Sequence, residues 1–300
     1  MGIIILNGRE GFSMGTIEYY LNEVVNRKLP PKTIYHYTSQ EGFLGISDKN
    51  SMWATDIHYL NDSEELSHGQ VLIEKVLEKS KINFSSIQIP GSDNSIMDSI
   101  LNILNSGILK AYVCSFSERE DQLSQWRGYC SNGIGFCLGF NASKLWNSTL
   151  PKRKSLLLQC QYKEKDKTRV IEDVIDFWFQ REDAQQLLKN TGTPENNLKC
   201  IKHLSFMLFQ IAGLLKHKSF YEEAEWRLLF VTQEEIEFRA GKSMLIPYIS
   251  FDLHKNPFDS IYHSPTPHNK LAKASLDRFI DAKGIKGCVT YDSSVPYRNY

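Results

Sequence analysis

Three stretches of the chain hold side chains whose type and spacing could do chemistry. In "FYEEAEWRLLF" (Phe220 to Phe230), Glu223, Glu225 and Arg227 alternate with Ala224, Trp226 and Leu228. A strand has a period of two, which would send both carboxylates and the guanidinium to one face and the apolar set to the core. Carboxylates about 7 Å apart on such a face perturb each other's proton affinity. The plain alternative is an edge strand carrying a solvated Glu–Arg pair.

The second stretch is "IYHYTSQEGF", where His36 ends an apolar run and a helix starts at once. Thr38 with Glu41 reads as a T-x-x-E capping box. The fresh helix N-terminus beside His36 and Thr38 favours an anion or an acceptor-rich ligand. The competing reading of His36 is a hydrogen-bonded, partly buried histidine. In the third stretch, "AYVCSFSEREDQLSQWRGY", Ser115 and Ser117 share one strand face. Ser117 with Glu120 forms another capping box, which accounts for that serine without any ligand. Arg119 and Arg127 flank Trp126, a set that either stacks a planar ligand or packs its tryptophan.

Elements must position these residues. Residues 16–28 read as an amphipathic helix closed by "LPPK". Thr33 to Tyr37 is a strand, its helix runs to about Lys49–Asn50, and "SMWAT" is a second strand. "NDSEE" holds two overlapping capping boxes, Asn61 with Glu64 and Asp62 with Glu65, opening a helix to about Ser80. Residues 84–96 are rich in turn formers and suggest a surface loop, followed by a helix over 96–108. Ala111 to Phe116 is a strand. "NGIGFCLGF" is a turn and a strand; its G-x-G leads into no helix, so it fails as a dinucleotide fingerprint. Residues 168–216 read as two helical segments divided by "NTGTPEN". "MLIPYISFDL", "SIYHSP" and "KGCVTYDSS" supply later strands around a helix over 268–283. Without regular βα alternation the class is α+β: a small mixed sheet with flanking helices and a helical insertion. The expected division is 1–30 as leader and helix and 31–300 as one domain, with 165–218 inserted. Met14 is an alternative start to Met1.

Bulk composition narrows the classes. Thirty-five basic and 35 acidic residues cancel, so no global field draws nucleic acid or anionic membrane. The runs "PKRK" (151–154) and "KEKDK" (163–167) read as solvated faces. Six cysteines show no C-x-x-C pair and no zinc spacing, which points to reduced packing thiols and a cytoplasmic protein. The N-terminus has no basic region before its short apolar run, unlike a signal peptide, and Leu6 breaks the myristoylation pattern. "LSFMLFQIAGLL" falls short of the roughly 18–20 residues of a membrane span, so no membrane partner is expected. No G-x-S-x-G, H-E-x-x-H or Walker A motif occurs. The acids of "HYLNDSEE" read as helix caps, and no metal is expected.

Four blocks in order, "IYHYTSQEGFLGI…MWATDIHYLNDSEE", "AYVCSFSEREDQLSQWRGYCSNGIGFCLGF", "FYEEAEWRLLF" and "DSSVPYRN", resemble the DUF2971 family of bacterial proteins from about residue 33 to 298. "YHYT", "CSFS" and "EAE" before "WRLLF" are also similar, in order, to the three motifs of the ADP-ribosyltransferase fold, whose sheet is split. Tyr37 stands where one form of the first motif has glycine, and Phe116 where the second has threonine. That second resemblance implies NAD as substrate, with Glu225 stabilising an oxocarbenium-like ribose and Glu223 either orienting the acceptor or standing in for Glu225. It implies that His36 holds a ribose hydroxyl, Tyr37 or a tryptophan stacks the nicotinamide, Thr38 lies towards the pyrophosphate, and Ser115 and Ser117 steady the site. The acceptor would be a protein or a nucleic acid, in a toxin or phage-defence setting, with room for an inhibitory partner. Two rivals stand beside it: a non-enzymatic sensor or interaction protein on the same fold, and a nucleic-acid-processing enzyme taking a single-stranded end.

Overall fold

The computed structural model describes residues 21, 24–26, 28–60, 63–89, 93–130, 134–149, 155–231 and 236–296. The class is α+β, as expected. Among the described residues ten strands join in one mixed sheet: β1 Thr33–Thr38, β2 Ser51–Asp56, β3 Tyr112–Ser117, β4 Phe136–Asn141, β5 Ser155–Gln159, β6 Glu225–Phe230, β7 Glu237–Ala240, β8 Leu245–Asp252, β9 Phe258–His263 and β10 Val289–Asp292. The order β10-β9-β4-β1-β3-β2-β8-β7 is antiparallel except between β10 and β9, and β6 lies between β3 and β5.

One junction matters for the site. Along one edge β3 is fully paired with β6. Its other edge is shared: β1 meets it at Ser117, through Tyr35, while β2 meets it at Val113 and Tyr112. The sheet therefore forks over residues 114–116. Phe43 and Ile46 of helix α1 (Gln40–Lys49), which joins the two diverging strands, are buried on one side of the sheet.

Alternation along the strands divides two cores. Val113, Leu156, Leu158 and Leu229 face one side, covered by α2 (Ser63–Glu78), α3 (Ile96–Asn105), α6 (Glu164–Phe179), α7 (Glu182–Leu188) and α8 (Pro194–Ala212). Cys114, Phe116, Leu157, Trp226 and Leu228 face the other, covered by α1, α5 (Ala142–Thr149) and α9 (Asn269–Lys283). A smaller cluster of Tyr37, Trp126, Cys130 and Cys137 sits under α4 (Leu123–Tyr129).

Helix α8 exposes Leu198, Lys199 and Lys202 in its first half, but residues 204–212 are apolar almost all round, a pattern that requires burial on every side. It meets that need by packing against α2, α3, α6 and α7. Gly69 permits the approach of α2: a Cβ there would stand 2.3 Å from the Ala212 carbonyl oxygen. Residues 168–216 thus hold three helices rather than two segments, since α7 precedes "NTGTPEN" as a separate short helix.

Other local expectations shift. Ser39, not Thr38, caps α1, its Oγ accepting from the Gly42 N–H at 3.1 Å, because Thr38 is still paired in β1. The loop over 84–96 is anchored by buried Phe84 and ends in a capping box of Ser95 with Asp98. Of the helix expected over 16–28, Leu21, Val24 and Val25 are helical among the described residues. The leader with both start candidates, Asn61 and Asp62 of the "NDSEE" caps, and "PKRK" lie outside the described residues. No helix among the described residues is long and apolar enough to cross a membrane.

Candidate functional site

Glu225 opens β6 and is buried, as are Arg227 and Lys216. The expected trio on one strand face is reduced to a pair. Glu223 ends a 3-10 turn (Lys218–Glu223), and Ala224 follows with φ of 43°, so the strand begins only at Glu225. Glu223 rejoins the others through Lys216, whose Nζ lies 2.7 Å from Glu225 Oε2 and 2.5 Å from Glu223 Oε2. Arg227 donates from Nε to Glu225 Oε1 at 2.8 Å, and its Nη1 donates to the Gly213 carbonyl. The Cys160 thiol and the second Arg227 amino group also reach Glu225 Oε2, at 3.6 and 3.2 Å. Because β6 has a neighbour on each side, the pair is neither on an edge nor solvated.

The electrostatics follow from this packing. Burial pushes the Glu225 carboxyl up, but the Arg227 guanidinium and Lys216 ammonium outweigh it and hold the pKa at about 2. Glu223 goes the other way: burial raises it, against the pull of Lys216. Tyr129 donates to Glu223 Oε1 at 3.2 Å. Both Glu225 oxygens are engaged, and the two neighbouring cations favour its charged form.

His36 does not meet Glu225. Tyr35 pairs with Ser117, and Ser117 with Glu225, so these three side chains form a row on one face of the sheet. His36 is the next residue and therefore points to the opposite face, where its ring lies 5.7 Å from that of Phe116. Its Nδ1 lies 2.9 Å from the Ser115 carbonyl oxygen, within the gap left by the fork. Burial lowers its pKa, opposed by the bond to that carbonyl. The convergence expected of these two residues is absent, because it depends on register.

The remaining expected ligand residues are engaged elsewhere. The Tyr37 hydroxyl donates to the Arg119 carbonyl at 2.8 Å and accepts from the Gln122 N–H at 3.0 Å, with its ring 4.9 Å from Trp126. Thr38 is a strand residue. Ser115 shares its face with Arg227 by register. Ser117 caps no helix: α4 starts at Leu123 behind Gln122, while the Ser117 hydroxyl donates to the Glu223 carbonyl at 2.7 Å and accepts from Arg119 N–H at 3.1 Å. Trp126 is fully buried and donates from Nε1 to Asp121 at 2.8 Å, so it offers no stacking surface beside Arg119 and Arg127. No group of three or more His, Cys, Asp and Glu among the described residues could hold a metal ion.

The sequence reading overlooked a row of tyrosines on the open half of the sheet. The Tyr35 and Tyr262 rings meet edge to face at 6.3 Å, and Tyr262 and Tyr291 stack at 4.7 Å and 19°. They border a cavity of about 450 Å³ lined also by Lys32, Lys144 and Asp259. The signal was present in "SIYHSP" and "VTYDSS", where each tyrosine alternates with residues of the opposite face, but their adjacency needs the β9–β10 pairing.

Comparison with known proteins adds one match. Residues 125–228 fit the family model described as a protein of unknown function, DUF2971. The match covers about a third of the chain, less than the resemblance over 33–298 implied. It begins within α4 at Gln125 and includes β4 and the start of β6 with Glu225 and Arg227, but not His36. No curated protein and no solved structure matches the chain, so the ADP-ribosyltransferase likeness rests on the three motifs alone.

Proposed function

We infer that the protein is a non-enzymatic sensor or interaction protein, acting by binding. The observation that carries this reading is the opposite-face arrangement of His36 and Glu225. A carboxylate that stabilises an oxocarbenium-like ribose must present a free oxygen to the ligand. Those of Glu225 are taken by Lys216, Arg227 and Cys160 within the core. Buried ion pairs of this kind fix local geometry, and here they tie β6 to the end of α8. Buried free thiols suit a cytoplasmic setting. The test is release of nicotinamide from NAD by the purified chain. No release above the buffer rate is expected; steady release lost in Glu225→Gln, with the fold retained by circular dichroism, would overturn the reading.

A second reading is favoured by one specific feature. Ser117 of the S-F-S stretch lies directly across from Glu225 of the E-A-E stretch, at the fork of the sheet. This suits an NAD-using ADP-ribosyltransferase or NAD-hydrolysing effector of a toxin or phage-defence type, with a protein or nucleic-acid acceptor. In that case Tyr35, which shares the Glu225 face, takes the place proposed for His36. The same assay separates the two, with Tyr35→Phe as the added variant.

A further inference from the structure

The open face of the β10-β9-β4-β1 half of the sheet carries the tyrosine row, and nothing in the buried ionic network accounts for it. Three aromatic rings from β1, β9 and β10 converge across the intervening β4, whose Gly139 keeps the floor low: a Cβ there would stand 2.2 Å from Ser260 Oγ. Tyr291 is 42% exposed and Tyr35 and Tyr262 are half-buried, so the rings present faces and edges to the cavity. At about 450 Å³ the cavity falls within the range of small-ligand sites.

Charge is distributed unevenly along this face. Lys32 and Lys144 border the cavity, and neither forms an ion pair among the described residues. Acid lies towards the other end of the row. Burial raises the hydroxyls of Tyr35 and Tyr262 and Glu120 adds to the rise, whereas Asp292, the residue after Tyr291, points to the opposite face and lies 2.8 Å from His263 Nε2. Asp259 borders the cavity beside the lysines and discourages a highly charged ligand.

We propose that this cavity binds a free mononucleotide, its base stacked on the tyrosine row and its phosphate at Lys32 and Lys144. Aromatic rings take any nucleobase through its π-face, and two unpaired ammonium groups suit a single phosphate. An extended single strand is the poorer fit, because its next phosphates would run towards Glu120. The inference rests on reading the protein as one that acts by binding, and it names the ligand class.

The test is calorimetric titration of the full chain with AMP, GMP, CMP and UMP in turn. At least one should bind saturably. Tyr291→Ala should weaken it about 5- to 150-fold, the span of one base–aromatic stack, while Tyr291→Phe keeps the affinity and Lys144→Glu loses it. Tyr291 and Lys144 are exposed, so both variants should retain the native circular dichroism. No saturable binding up to about 1 mM would overturn the proposal, as would affinity indifferent to Tyr291→Ala and Lys144→Glu. Tighter binding of a short oligonucleotide, falling steeply with salt, would overturn the free nucleotide as ligand. NAD turnover, by contrast, would sink the non-enzymatic reading while leaving these titrations to stand or fall separately.

Discussion

The imidazole Nδ1 of His36 lies 2.9 Å from the carbonyl oxygen of Ser115, a backbone group at the point where β1 and β2 part from β3. A carbonyl at a fork has no strand partner on that side, and the histidine takes the place of the missing ladder bond. The neutral ring with its proton on Nδ1 is the form that donates there. His36→Ala removes this donor and the packing against Phe116. It should cost about 1–3 kcal/mol, the penalty of an unsatisfied buried acceptor. Urea unfolding at pH 7 checks it, and a midpoint unchanged from wild type would show that water replaces the ring freely.

Glu225 should behave as a structural ion. Glu225→Gln leaves Arg227 buried without its carboxylate, and a loss of about 3–5 kcal/mol is expected. Adding Lys216→Met should recover part of the loss, since residues of one network are not additive. The acid limb gives a second readout. The folded pKa of about 2 lies below the ordinary 4.5, so this contribution is present above pH 4.5 and is lost as pH falls from there towards 2. That part of the acid slope should vanish in the variant.

His203 titrates with the opposite chemistry but the same sign. Burial and the nearby Arg181 guanidinium lower its pKa from 6.5 to about 4, with Asp183 opposing. The unfolded chain therefore binds a proton that the folded chain refuses. Its contribution is full above pH 6.5 and declines as pH falls towards 4. Thermal melts across that window should show a shallower decline in His203→Gln than in wild type.

Ala224 holds φ of 43° and ψ of 51°, a left-handed backbone that costs an alanine about 1–2 kcal/mol. It turns the chain from the 3-10 turn into β6 and so sets Glu225 at the first strand position. Ala224→Gly should relieve that strain and raise stability by about 0.5–1 kcal/mol after the entropy cost of glycine. A lower unfolding midpoint would mean that the methyl group contributes more by packing than it costs in strain.

How far the fold was legible depended on whether a signal was local. Strands such as β1, β3 and β6 were readable from runs of aromatic and β-branched residues, and the second half of α8 from its apolar residues on every side. The caps were less secure. Thr38 and Ser39 are adjacent hydroxyls, and pairing in β1 decides which of them is free to cap. Ser117 has the motif of a cap, yet its hydroxyl is consumed by Glu223 and Arg119 across the sheet. The site failed for a related reason. Period two tells which residues of one strand share a face, but not which of two faces meets a neighbour's. His36 and Glu225 belong to strands joined through β3, and a register shift of one residue would have put them together. The tyrosine row was hidden in the same way, because it joins residues more than two hundred positions apart.

Asp121 ties the C-terminal segment to the site region. Burial raises its carboxyl, but hydrogen bonds from Ser293, Trp126 and Ser294 outweigh that and lower it. The Ser293 hydroxyl lies at 2.5 Å, the Ser294 N–H at 2.6 Å and the Ser294 hydroxyl at 2.8 Å. One carboxylate thus holds both the buried indole of α4 and the segment that follows Tyr291 in β10. Asp121→Ala should free the segment without dissolving β10, whose pairing with β9 is independent of it. Hydrogen exchange should then quicken at residues 293–295 by roughly tenfold or more, since a charge-assisted bond contributes about 1.5–3 kcal/mol, while amides of β9 keep their protection. Asp121→Asn should fall between, keeping an acceptor for the indole but losing the charge. If exchange at Ser294 is unchanged in Asp121→Ala, the packing of Val295 near Trp126 and Tyr37 holds the segment instead.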